Sequence, residues 1–327
     1  MIRVAIAARV TPRASAGMRA YTGALLERMS RVAPDVDLVA VRAPIALQPF
    51  ALRAARPQLV HLPYLEAAPL APRPYVAMLH DLIHLRYPAL FSRATATFWH
   101  VVAAPLYRAA ERVLVSDPRV ADDCVARLGI ARERIRIVPL GYGDAVPDAQ
   151  PWPVERPYVL YAGNHRPHKD LATLYAAWAA LPAQLALDLV LTGPDEPGVR
   201  RRYTRERGAI AFLGEVDDAT LARRYRGAIA YVQPSLAEGF GIPVLEALVA
   251  GTPVLAATTA APAITLPFVQ TFAPGDVAAL GSLMTAVVRD PSAARARAAE
   301  GAVTLRAYTW DRFAASTADV YREVVCP

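Results

Sequence analysis

Cysteine is almost missing from this 327-residue chain: Cys124 and Cys326 stand far apart, with no Cys-x-x-Cys and no Cys/His cluster. That scarcity excludes a disulfide framework and a zinc site, and a reducing cytoplasm is the compartment expected. Long apolar runs are missing too. A spanning helix needs about 18 to 20 apolar residues, and the nearest stretch, 98–110, is broken by His100, Pro105 and Arg108. The opening Met1-Ile2-Arg3-Val4-Ala5-Ile6-Ala7 lacks the charged lead and long apolar core of a secretory signal, so none is expected. Net charge is +7, yet the arginines are spread along the chain and no basic block is interleaved with stacking aromatics. Nucleic acid is therefore not an expected partner; a diphosphate ligand, or peripheral contact with an anionic inner membrane face, suits the same charge.

Lysine and asparagine are rarer still. Lys plus Arg is 36 and Lys169 is the single lysine, leaving 35 arginines; Asn164 is the single asparagine. Both fall within Gly163-Asn164-His165-Arg166-Pro167-His168-Lys169, together with two of the six histidines. A composition biased toward arginine makes the exceptions informative. A compact three-donor ammonium is wanted at 169, where a planar guanidinium does not substitute.

What is abundant is apolar: 54% hydrophobic residues against 20% charged, enough for large buried sheets. The length suits two domains of roughly 150 residues. Residues 3–7, 37–41, 59–62, 76–79, 112–115 and 135–138 read as strands, with helices between them, including 118–128. Prolines at 147, 151, 153 and 157 mark a linker. Strands then resume at 158–162, 187–191, 210–213, 229–233 and 253–256, with helices over 171–181, 220–225 and 244–249. Such alternation predicts two parallel, doubly wound α/β sheets. Residues 310–325 form a last helix, with Trp310, Phe313, Val320, Tyr321 and Val324 near helical spacing. Residues 94–110 read as a helix, one buried against the first sheet being favoured over one that touches a membrane or lipid acceptor, and His61, His84, His100, Trp99, Trp178 and Trp310 read as packing or surface residues.

The most specific segment is Gln233-Pro234-Ser235-Leu236-Ala237-Glu238-Gly239-Phe240-Gly241-Ile242-Pro243-Val244-Leu245-Glu246-Ala247. It leaves a strand, crosses a loop with two glycines and enters a helix with Pro243 in its first turn. A helix start offers free N–H groups and partial positive charge to an anion, and glycines allow close approach. Glu238 and Glu246, with seven residues between them, can accept from paired sugar hydroxyls.

This segment resembles the E-x7-E signature of retaining glycosyltransferases of the GT-B fold, specifically glycosyltransferase family 4. The resemblance extends along the chain. Tyr161-Ala162-Gly163 with His168-Lys169-Asp170-Leu171 resembles the family's first donor strand and phosphate-binding turn, and Phe212-Leu213-Gly214-Glu215-Val216 its nucleobase loop. His80-Asp81-Leu82-Ile83 with Tyr87-Pro88 resembles the loop of its N-terminal domain. The resemblance implies two Rossmann-like domains facing a cleft, residues 1–150 binding acceptor and 151–308 the donor, with the helix of 309–327 returning to the first domain. It implies that Arg166 and Lys169 bind the donor diphosphate in place of a metal. Glu246 would bind the ribose and Glu238 the transferred sugar, helped by Phe240, Gly241 and Ile242, while His80 would reach the sugar near the reacting carbon. Gly17, Gly163, Asn164, Gly214 and Val216 complete the implied donor contacts.

The activity implied by the resemblance is that of a metal-independent, retaining hexosyltransferase without a cofactor. It would move a sugar from a GDP- or UDP-linked donor, with GDP-mannose favoured, to a hydroxyl acceptor on a glycan, glycolipid or small molecule. Two departures stand out: Gly17-Met18-Arg19-Ala20-Tyr21 keeps one glycine of Gly-x-Gly-x-Tyr, and Pro262-Ala263 replaces Pro-Glu. A non-catalytic nucleotide-sugar-binding protein is the alternative outside enzymology. A GT-B epimerase would lack the E-x7-E loop, and a phosphorylase would need a cofactor lysine where the only lysine is already placed.

Overall fold

The computed structural model describes residues 1–9, 16–64, 71–204 and 207–326; Pro327, the end of the expected last helix, lies outside them. Two compact units divide the chain, Met1–Gly141 with Tyr308–Pro327, and Tyr142–Ala307. Each is built on a parallel six-stranded sheet.

The first sheet contains β1 (Ile2–Ala7), β2 (Val36–Val41), β3 (Leu59–Leu62), β4 (Tyr75–Met78), β5 (Arg112–Val115) and β6 (Ile135–Ile137), in the order β2-β1-β3-β4-β5-β6. Strands β3 and β4 are buried along their whole length. Continuous apolar runs, rather than alternation, are what a parallel sheet covered on both faces requires. The last helix, Trp310–Val325, belongs to this unit and buries Trp310, Phe313 and Tyr321. Its start approaches Gly141 so closely that a Cβ there would fall 2.3 Å from the Trp310 nitrogen. Fully buried His61 sits between two tyrosines, Nε2 at 2.9 Å from the Tyr21 hydroxyl and Nδ1 at 2.7 Å from that of Tyr321. It is a packed core histidine, and burial lowers its pKa to about 3.

Residues 94–110 depart from the single buried helix expected. An α-helix, Arg93–Phe98, runs into a π-helical turn, Trp99–Ala103, and then a second α-helix, Ala104–Ala109. Pro105 has no N–H to return to the preceding turn, and the widened turn absorbs the lost bond. Ala103, Ala104 and Tyr107 are buried, whereas Phe98 and Val101 face solvent at 40% and 68% exposure. No helix among the described residues is long and apolar enough to cross a membrane.

The second sheet contains β7 (Tyr158–Tyr161), β8 (Asp188–Leu191), β9 (Ile210–Phe212), β10 (Ala230–Gln233), β11 (Val254–Ala257) and β12 (Gln270–Phe272), ordered β12-β11-β10-β7-β8-β9. The direction of winding reverses between β7 and β10, as in other doubly wound sheets. Residues 142–150 go with this unit, so the boundary precedes the proline-rich stretch that reads as a linker. Strand β12 and the helices Val277–Arg289 and Ser292–Leu305 are additions to the elements expected from the sequence. The last of these packs through Ala294, Ala298 and Gly301, small residues that give no visible apolar stripe.

Candidate donor site at the switch point of the second sheet

In an open α/β sheet, ligands bind beyond the carboxyl ends of the strands where the winding reverses. Here those ends are the 163–169 turn after β7 and the loop of residues 234–241 after β10. Gly163 has φ +153°, and its N–H donates to Thr192 Oγ1 at 3.0 Å. The Tyr161 hydroxyl donates to the Asn164 carbonyl at 2.7 Å, and the Arg166 N–H to Asn164 Oδ1 at 3.3 Å. Residues Pro167–Lys169 make a single 3-10 turn, and Asp170, at φ +48°, leads into the helix Leu171–Ala179. The His168 carbonyl accepts from the Leu236 N–H at 2.8 Å, tying this turn to the neighbouring loop.

Lys169 and Glu238 meet directly. Nζ lies 2.7 Å from Oε1 and 2.9 Å from Oε2, with the two side chains 13% and 11% exposed. Oε1 also accepts from Gln233 Nε2 at 2.8 Å and from Ser235 Oγ at 2.6 Å. Oε2 takes one donor, so it keeps acceptor capacity, and the ammonium keeps one N–H beyond the two on the carboxylate. The Tyr231 hydroxyl donates in turn to Gln233 Oε1. A buried chain of neutral donors therefore holds the carboxylate in one orientation.

Gly241, at φ +92°, precedes the helix Ile242–Val249, and an alanine Cβ there would meet the Ala260 carbonyl at 3.0 Å. Among the described residues, the N–H groups of Phe240, Gly241 and Ile242 have no hydrogen-bond partner. Three amides at a helix start form a ready anion cradle. Four residues further, Glu246 accepts from the Gly143 N–H at 3.1 Å and the Tyr225 hydroxyl at 3.2 Å. Among the described residues no cation joins this carboxyl, and burial raises its pKa to about 7 against these two donors.

The other residues singled out in the sequence lie around these two loops and in the first unit. Arg166 is exposed, with no ion-pair partner among the described residues. Gly214, at φ +71°, bridges to Gly193 after β9, and its carbonyl accepts from the Gly193 N–H at 2.9 Å; Val216 follows, partly exposed. In the first unit, Gly17 lies in the first turn of the helix Ala16–Val32. His80, two residues beyond β4, donates from Nε2 to the Pro63 carbonyl at 2.9 Å and meets the Tyr21 ring edge-on at 5.1 Å. Burial lowers its pKa to about 4, which leaves a neutral imidazole with Nδ1 able to accept.

Tyr225, Tyr231, Gln233, Ser235, Thr192 and Gly143 were not assigned roles from sequence. Gln233 and Ser235 carried a weak signal, being polar residues two apart at the end of an apolar strand. The depression lined by Arg156, Arg226 and Arg295 adjoins the amino ends of β7 and β10 and includes none of the motif residues.

Comparison with known proteins bears on the same residues. A family model described as Glycosyltransferase Family 4 matches residues 3–145, and one described as Glycosyl transferases group 1 matches residues 144–302. O-antigen chain mannosyltransferase B of Escherichia coli is 31% identical over 174 residues, which are 50% of this chain and 45% of that protein. The aligned part spans about half the length of the curated relatives it matches. Sucrose-phosphate synthase of Thermosynechococcus elongatus superposes with TM-score 0.80 at 20% identity, covering 99% of both chains. Anabaena HepE in complex with UDP-glucose superposes with TM-score 0.76 at 17% identity, over 99% of this chain and 100% of that one. These two share the fold, two Rossmann-like sheets in one chain.

Proposed function

Because the chain belongs to glycosyltransferase family 4, we propose that it is a retaining hexosyltransferase using a nucleotide-diphosphate sugar, with GDP-mannose the favoured donor. The observation that carries this reading is the Lys169–Glu238 pair beside the open amides of residues 240–242, at the switch point of a doubly wound sheet. The mannosyl transfer named for the Escherichia coli relative supports a mannosyl donor. The UDP-glucose held by HepE supports a nucleotide sugar.

In this reading the free N–H of Lys169, the Arg166 guanidinium and the amides of residues 240–242 receive the diphosphate as it departs with its negative charge. Preorganised donors aimed at developing charge supply most of the rate enhancement in many such transfers. They do here what a metal does elsewhere, so metal independence is part of the proposal. Glu238 Oε2 accepts from the transferred sugar, and Glu246 from the ribose hydroxyls. His80, neutral with Nδ1 unprotonated, is the residue of the first unit assigned to touch substrate. The acceptor hydroxyl attacks on the face the diphosphate leaves, so the anomeric configuration is retained and the diphosphate takes the hydroxyl proton.

A thermal-shift panel of GDP, UDP and ADP tests the donor site. The matching diphosphate at 100 times its dissociation constant adds about 2.7 kcal/mol of stability. The sugar-linked form should then release diphosphate in the presence of EDTA and give product of unchanged anomeric configuration by NMR. Stabilisation without release would make the protein a sugar-nucleotide binder only; no stabilisation by any of the three would remove the donor site.

The segment around Arg93–Phe98 and Trp99–Ala103 adds a membrane-surface contact to the proposal. On this segment Arg93, Phe98 and Val101 are exposed, while Arg86 is paired with Asp123 at 2.8 Å. Such a face suits anionic headgroups. Co-sedimentation with phosphatidylglycerol vesicles should fall when Phe98 and Val101 are both changed to serine; equal sedimentation would discard the contact.

A further inference from the structure

His165 stands inside the 163–169 turn and has no role in the donor contacts assigned above. Its side chain is 6% exposed. Nδ1 faces the Glu196 carboxylate Oε1, and Nε2 faces the Thr192 carbonyl at 2.7 Å. The ring therefore spans from the Glu196 carboxylate to the Thr192 carbonyl, with one nitrogen on each.

The position of this ring is tied to both halves of the candidate site. Thr192 accepts from the Gly163 N–H through Oγ1 while its carbonyl takes the His165 proton, so one residue grips the turn at two points. On the other side, His165 lies against Gly193, where a Cβ would fall 2.7 Å from Nε2. Gly193 is bonded to Gly214 at the mouth of the implied base-binding loop. The rings of Tyr161 and Phe212 flank the imidazole at 6.0 Å each.

We propose that His165, held by Glu196 and Thr192, is a positioning residue that locks the diphosphate turn to the Gly193–Gly214 bridge, so that donor diphosphate and base are registered together. The inference rests on the donor-site reading above. The charged and titratable groups around the pair are Glu196 itself, Arg166 next in the chain, and Arg200, which lies over Phe212 at 5.1 Å and pairs with Asp195 at 3.0 Å. Tyr175 also senses Glu196, and burial keeps its hydroxyl protonated.

The test compares wild type with H165A, H165Q, E196Q and E196A in donor kinetics, with nucleoside diphosphate affinity measured by calorimetry. Misplaced substrate-binding groups cost up to about a hundredfold. We expect H165A to raise donor KM about tenfold or more with a smaller change in kcat. H165Q, which can still donate to Thr192, should recover most of that loss. E196Q should keep near-normal KM, because the amide can donate to Nδ1, whereas E196A, which removes that partner, should raise donor KM in the direction of H165A. H165A and E196A with wild-type KM, or H165Q no better than H165A, would overturn the proposal. Should H165A fail to fold, E196A and E196Q decide it. Wild type that binds none of the diphosphates would instead remove the donor-site reading beneath it.

Discussion

Changing Lys169 to arginine is expected to lower kcat by about a hundredfold although the charge is kept, the cost seen when a single preorganised donor to developing charge is lost. The ammonium reaches both Glu238 oxygens at 2.7 and 2.9 Å from one point. That carboxylate is also gripped by Gln233 and Ser235, which are 2% and 0% exposed, so it cannot withdraw to make room. A guanidinium satisfies a carboxylate side-on with two N–H groups in its own plane, and its remaining donors then point along directions set by the fork. The N–H proposed for the diphosphate is therefore misdirected. Thermal stability should change little in K169R because the ion pair survives. K169A should lose about 3 kcal/mol, the lower end for removing one partner of a buried pair, since two neutral donors remain on Glu238. Wild-type kcat in K169R would mean that Lys169 serves the fold and not the transfer.

Glu246→Gln is expected to weaken the donor and to stabilise the protein at once. Deleting the carboxylate removes charged acceptance of the ribose hydroxyls, worth about 2 kcal/mol for one such bond, or about thirtyfold in donor KM. The stability effect comes from protonation. Folded Glu246 holds its proton up to about pH 7, against an ordinary value of 4.5. Between those two values the native state binds more protons than the unfolded chain, so raising pH across that window lowers stability. Glutamine is free of this penalty. E246Q should therefore melt higher than wild type at pH 8, with the difference shrinking as pH falls and vanishing below the unfolded value of 4.5, in scans of the two proteins at matched pH. For the same reason wild-type donor affinity should fall as pH drops below 7. A melting difference independent of pH would contradict the placement of an ionisable carboxyl at this position.

Much of this architecture is legible in the amino-acid order. Eleven of the twelve strands among the described residues are visible as short apolar runs, and the helices over 118–128 and 310–325 have the same bounds in the structure. Strand β12 and the helix Ser292–Leu305 were not visible, since a three-residue strand has no period and alanine packing has no stripe. The segment around Pro105 misled in the other direction, because its composition is that of a buried helix while its backbone turns Phe98 and Val101 outward. Of the candidate site, the E-x7-E run and the lone lysine marked the loops on either side of the switch point. The side chains that hold them did not declare themselves.

Local features account for what the sequence by itself determined: two α/β units, the donor-like loops, the glycine at the head of the helix Ile242–Val249 and a lysine where arginine was available. Each depends on residues within a turn or two of one another. What only the tertiary structure decided is who meets whom. Lys169 and Glu238 are 69 residues apart, Glu246 and Gly143 are 103 apart, and Tyr225 is 21 from Glu246. Sheet order brings Lys169 to Glu238, because the carboxyl ends of β7 and β10 become neighbours where the winding reverses, while Glu246 meets Tyr225 from the helix Asp218–Gly227 and Gly143 from the segment before β7. The same folding buries Glu246 away from any cation among the described residues and Glu238 against one, so two carboxylates of one motif acquire different electrostatic surroundings.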